Sequence, residues 1–90
     1  MLQFLKKLGI NIPGYYNKDT YIIDLKDANE YAKIATKLNK STELEEIEDF
    51  SISNISISNL MYENDNYVLN LIADFDNNIY KLEITEVKDD

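Results

Sequence analysis

The chain contains no cysteine, histidine, arginine or tryptophan. Without cysteine it can form no disulfide, zinc ribbon, iron–sulfur cluster or thiol nucleophile. Without histidine it lacks the commonest general base and the commonest metal ligand, so catalytic triads and the usual zinc sites are excluded within it. Without arginine it lacks the best bidentate clamp for phosphate. No apolar run approaches the roughly 20 residues of a membrane span. Lys6-Lys7 interrupts Met1-Leu2-Gln3-Phe4-Leu5 before it reaches the length of an export signal. The expectation is a reducing, cytoplasmic setting without membrane contact.

What is present describes an ordered domain. Ninety residues make one domain, 1–90, which buries roughly 60–65% of the surface its unfolded chain exposes. Twelve isoleucines and ten aromatics supply enough apolar surface to offset chain entropy. The formal net charge is −8, which disfavours direct binding to nucleic acid.

Periodicity assigns the elements. Leu2, Leu5 and Leu8 recur along a short helical turn that Gly9 can end. Seven residues are not helical alone, so this turn must dock on something. Pro13-Gly14 is a turn signal, and Tyr21-Ile22-Ile23-Asp24-Leu25 reads as a strand. Asp27 with Glu30 forms a capping box ahead of an apolar stripe of Ala28, Tyr31, Ala35 and Leu38, flanked by Ala32 and Ile34. That pattern predicts a helix over 27–40. Residues 42–49 read as an acidic linker or a single helical turn.

After Phe50 the period is two. It predicts a meander of three strands, about 50–62, 67–75 and 79–87, with a bulge or bend at Ser53-Asn54 where the alternation slips by one residue. A turn at Asn64-Asp65 would set Tyr62 opposite Tyr67 and Leu60 opposite Leu69. A turn at Asn77-Asn78 would set Phe75 opposite Tyr80 and Ala73 opposite Leu82. The fold class is therefore α+β: an antiparallel sheet, with 20–25 as a candidate fourth strand, packed against one main helix. The expected core is Leu25, Tyr31, Ala35, Leu38, Leu60, Leu69, Leu71, Phe75, Leu82 and Ile84. The second sheet face would hold Ile57, Met61, Val68, Ile72 and Val87, and would be an exposed apolar patch unless residues 1–16 cover it. A monomer is expected, with a dimer as the alternative.

Charge is unevenly divided. Residues 1–40 carry a net +3 and residues 41–90 a net −11. Glu43, Glu45, Glu46, Glu48 and Asp49 place five acids in seven residues, and Asp74 and Asp76 add two at a turn. Such acids keep a small sheet soluble and blunt its edges. They also suit docking on a basic surface of another macromolecule. Tyr15 and Tyr16, after the Pro-Gly turn, are the aromatics best placed to join an interface.

Other chemistry fits less well. Asp74-x-Asp76-x-Asn78 begins like a calcium loop, but Ile79 stands where glycine is needed and Thr85 where a bidentate glutamate is needed. Carboxylate pairs for glycosidic chemistry need a cleft, and no lysine sits in an apolar stretch that would activate it. No metal, cofactor or enzymatic activity is expected. The profile of size, charge and missing catalytic groups is that of a small acidic inhibitor, a nucleic-acid mimic of the phage anti-defence or anti-CRISPR kind. The expected partner is a protein with a basic surface, met through Glu43, Glu45, Glu46, Glu48, Asp49, Asp74, Asp76, Tyr15 and Tyr16. A toxin-immunity protein or a self-associating assembly module is the alternative.

Overall fold

Local capping chemistry explains both helices of the computed structural model, which describes residues 2–51 and 57–87. Helix α1 spans Leu2–Leu8 and Gly9 follows it at φ +80°. The Gly9 amide donates to the Lys6 carbonyl (3.0 Å) and the Ile10 amide to the Leu5 carbonyl (2.9 Å). These two bonds are a Schellman motif, in which a residue with φ > 0 ends the helix. Leu5 and Ile10, which the motif brings together, are both buried. Helix α2 spans Ala28–Lys40, and the Glu30 amide donates to the carboxylate of its N-cap, Asp27, at 2.9 Å. The Glu30 carboxylate reaches one residue beyond the capping-box position and accepts from the Lys26 amide at 3.1 Å. Lys37, in the last turn of α2, donates to the Gly9 carbonyl and ties the two helix ends together.

The strands are β1 (Tyr15–Asn17), β2 (Thr20–Leu25), β3 (Glu45–Ser51), β4 (Ile57–Glu63), β5 (Tyr67–Asp74) and β6 (Ile79–Glu86). They form an antiparallel sheet in the order β1-β2-β6-β5-β4-β3. The candidate strand at 20–25 thus joins the meander, through β6. Both helices pack on one sheet face: Phe4, Leu5 and Leu8 of α1 and Ile34 and Leu38 of α2 share a core with Ile23, Leu69, Leu71, Leu82 and Ile84. The Phe4 ring stacks on that of Tyr67 at 4.4 Å. The result is a two-layer α+β domain. No described helix is long and apolar enough to cross a membrane.

The structure corrects several expectations. The strand expected over 50–62 is two strands, since β3 and β4 pair side by side with Phe50 opposite Asn59 and Ser51 opposite Ser58. The bulge placed at Ser53-Asn54 lies outside the described residues. A register shift does occur in β3, between Glu46 and Glu48. The acidic run is neither linker nor helical turn: Glu45–Ser51 is an edge strand. Leu44 packs against the core and anchors the chain, and the residues after it pair with β4. Pro13-Gly14 makes no turn. Gly14 passes so close to β2 that a Cβ there would meet the Ile22 carbonyl oxygen at 2.5 Å, and its amide donates to the Tyr21 hydroxyl.

Both hairpin registers differ from expectation by two residues. Leu60 pairs with Leu71, and Tyr62 with Leu69. The reason is Asn64, whose side-chain oxygen accepts from the amides of Asn66 (2.8 Å) and Tyr67 (2.7 Å). It therefore begins the turn, and Asp65-Asn66 forms the tip. At the second hairpin Ala73 pairs with Tyr80 and Leu71 with Leu82. Asp74 begins that turn by accepting from the Asn77 amide and side chain, and Asn78 takes φ 53°. A shift of two leaves every residue on its expected face, so Leu69, Leu71, Leu82 and Ile84 are buried as expected. Phe75 is the casualty. It lies in the turn, 46% exposed, with its ring edge against Tyr31 and Tyr80. On α2 the buried stripe centres on Ile34 and Leu38, with Tyr31 and Ala35 half-buried and Ala28 exposed.

Two stability outcomes follow from this packing. Leu71→Ala costs about 2–5 kcal/mol, whereas Phe75→Ala costs no more than about 2 kcal/mol, because half of its ring is already in water. Equal urea midpoints for the two variants would contradict the observed register. Gly14→Ala pushes a methyl into the β2 backbone and costs about 1–3 kcal/mol; an unchanged midpoint would mean that residue 14 does not sit against β2.

Candidate functional site

The acids converge where β3 starts. Helix α2 ends at Ser41, whose amide donates to the Leu38 carbonyl and whose hydroxyl accepts from the Glu43 amide. This turn delivers Glu43 to the corner, and β3 then pairs Glu45 with Glu63 and Glu46 with Tyr62. Two carboxylates directly opposite across a strand pair repel each other. Glu43, Glu45, Glu63 and Asp65, with Thr42 and Asn64, line a shallow concavity of about 390 Å³. Among the described residues none of these four acids, nor Glu46, is held in an ion pair. Further along the edge Glu48 pairs with Met61 and Asp49 with Leu60.

Lysines crowd next to this corner. Lys7, Lys37 and Lys40 line a second hollow that shares Thr42 and Glu43 with the first. The last turn of α1 supplies Lys7 and the last turn of α2 supplies Lys37 and Lys40, since cations are favoured at a helix C-terminus, and the Tyr62 hydroxyl donates to Asn39 at 2.7 Å to fix the end of α2 over β4. Cations therefore flank Glu43, whereas β3 itself carries acids and no lysine.

The remaining candidate residues lie elsewhere. Asp74 and Asp76 stand at the opposite end of the strands, beyond Ile57, which pairs with Asp74. That is a strand length, about 20 Å, from Glu45. Tyr15 and Tyr16 are on the opposite edge strand, 50% and 62% exposed. Five strand spacings, about 24 Å, separate that edge from β3. Tyr16 packs edge-on against Tyr21. Tyr15, on the other face, donates to the Asp24 carboxylate, which raises the phenol pKa above its ordinary value, and the charge of Glu83 adds to the rise. The nine residues thus fall into three places. Glu63 and Asp65, which join the acidic corner, are not among the nine residues expected from the sequence. The pairing of β3 with β4 is what brings them beside Glu45.

Among the described residues no group of acids is arranged to hold a metal ion. No family model, curated protein or solved structure matches the chain.

The Tyr15 pair gives a pH-dependent outcome. A phenol whose pKa is raised by folding contributes stability below the unfolded value, near 10, and loses it as pH rises through the folded value. Replacing Asp24 with Asn therefore moves the Tyr15 titration downward, followed by NMR of labelled tyrosine. An unmoved titration would place the Tyr15 hydroxyl away from Asp24.

Proposed function

We propose that this protein is a small acidic inhibitor: it docks its carboxylate-rich corner on the nucleic-acid-binding surface of a partner protein and blocks it. The observation that carries this reading is the gathering of Glu43, Glu45, Glu46, Glu63 and Asp65 at one end of β3 and β4, unpaired among the described residues. Carboxylates on neighbouring strands stand about 5 Å apart, a spacing that a groove built to neutralise phosphates can meet. Each exposed ion pair contributes only about 0–1 kcal/mol, but several aligned pairs raise association rate and specificity together. The chain needs no catalytic group for this. It acts as a monomer in the cytoplasm in which the partner works, in the manner of phage anti-defence proteins, anti-CRISPR proteins among them. A toxin-immunity role would use the same corner against a different partner.

The test is comparative capture from host cells of the protein and of its Glu45→Gln/Glu46→Gln/Glu63→Gln variant, whose changes lie outside the core. The expected result is a nucleic-acid-binding protein retained by the first and lost by the second. Competition by heparin and release as salt is raised from 0.05 to about 0.5 M, where screening is strong, are expected as well. A partner held equally by both proteins would end the acidic-inhibitor reading and move attention to Tyr15 and Tyr16.

A further inference from the structure

The sheet ends in two unlike edges. β1 has three residues, whereas β3 has seven, and no described element covers the outer side of β3. A strand in that position leaves a row of backbone amides and carbonyls without strand partners, which is a template for one more strand. What can take the place is decided by charge. β3 carries Glu45, Glu46, Glu48 and Asp49 and no lysine. A second copy pairing edge to edge would set four acids against four, and like charges across a ladder destabilise it. The net charge of −8 opposes self-association more generally.

We propose that β3 accepts an extended, lysine- or arginine-bearing segment of the partner as a seventh strand. Main-chain hydrogen bonds along β3 supply the affinity, and the acids select the sequence. This inference rests on the proposed acidic interface and adds how it is used: by strand addition and not by surface contact between charges alone. The seven residues of β3 set the length of the added segment at about five to seven residues. Because the corner lined by Glu43, Glu63 and Asp65 continues the acidic row past Glu45, one end of the segment extends over it and gains a further cation there. Lysines on both faces of the incoming strand are satisfied, since Glu45 and Glu46 are successive residues and successive side chains of a strand point to opposite faces.

The experiment uses the full chain and two synthetic peptides of nine residues in which lysine alternates with threonine. One has an ordinary backbone, and the other is N-methylated along both edges, so that charge is kept and strand pairing is lost. Binding is read by fluorescence anisotropy at 20 mM salt, and β3 by amide hydrogen exchange. The expected result is that the ordinary peptide binds and slows exchange of β3 amides, while the methylated peptide binds at least about tenfold more weakly and leaves exchange unchanged. Equal affinity for the two peptides would overturn strand addition while leaving charge-driven docking in place. No binding of the ordinary peptide would overturn it as well, and so would light scattering that shows a β3-mediated dimer of the free protein. Loss of the cellular partner on neutralising Glu45, Glu46 and Glu63 is a separate readout, so the two readings fail separately.

Discussion

The pairing of β6 with β2 on one side and β5 on the other is the constraint on which the rest of the structure depends. Among the described strands it is the only ladder that joins the N-terminal hairpin to the C-terminal meander. Its centre is apolar on the helix side: Ile23 faces Leu82, which faces Leu71, and all three are fully buried. Once β2 is placed there, the next strand must start at the far edge. From the Leu25 end of β2 to the Glu45 end of β3 is four strand spacings across and one strand length along, a diagonal of about 28 Å. Thirteen residues of α2 cover about 19 Å of it, and the short segments at each end cover the remainder. The helix is thereby laid obliquely over β2, β6 and β5, and its C-terminal end reaches β4 through the Asn39–Tyr62 hydrogen bond, beside the acidic corner.

That route explains the charge pattern. Lysines at the end of α2 stabilise the helix through its dipole, and the diagonal delivers them to the end of the sheet where Glu43 lies. The split between a basic first half and an acidic second half is therefore partly folded away at Glu43, while the outer edge of β3 remains acidic. The separation that matters is between faces of the corner, which no linear count can show.

The same contrast marks what the sequence made legible. The helix at 27–40 and the faces of β5 and β6 were readable, because a capping box and a period of two are local signals with strong penalties for error. The turn positions were not, because the side chains of Asn64 and Asp74 choose where each turn starts, and neighbouring Asn and Asp residues offered competing choices. Such errors moved each register by two, so burial survived and only Phe75 changed place. β3 was illegible for a different reason. A run of glutamates has low strand propensity, and only pairing with β4 makes it a strand. With β3 unread, the link between Glu45, Glu63 and Asp65 was invisible, and acids and tyrosines some 20 Å apart looked equivalent.

The bare sheet face has a physical account that needs no cover. Across it, apolar and polar residues alternate along the strands and between them. Ile57 and Ile79 flank Asp74, Ile72 lies between Asn59 and Lys81, and Met61 faces Asn70. No two of these apolar residues are direct cross-strand partners, so the expected patch is broken into single side chains wrapped by the stems of polar neighbours. Ile22, on the same face, is only 9% exposed without any helix above it. Lys81 pairs with Glu83 at 3.6 Å and keeps charge at the centre of that face. A face of this kind resists both self-stacking and collapse onto another apolar surface. Backbone hydrogen bonding remains open at β3, where acids replace the lysines with which edge strands are commonly guarded. Either sign of charge prevents a strand from pairing with its own copy, but only the negative sign is complementary to a cationic strand.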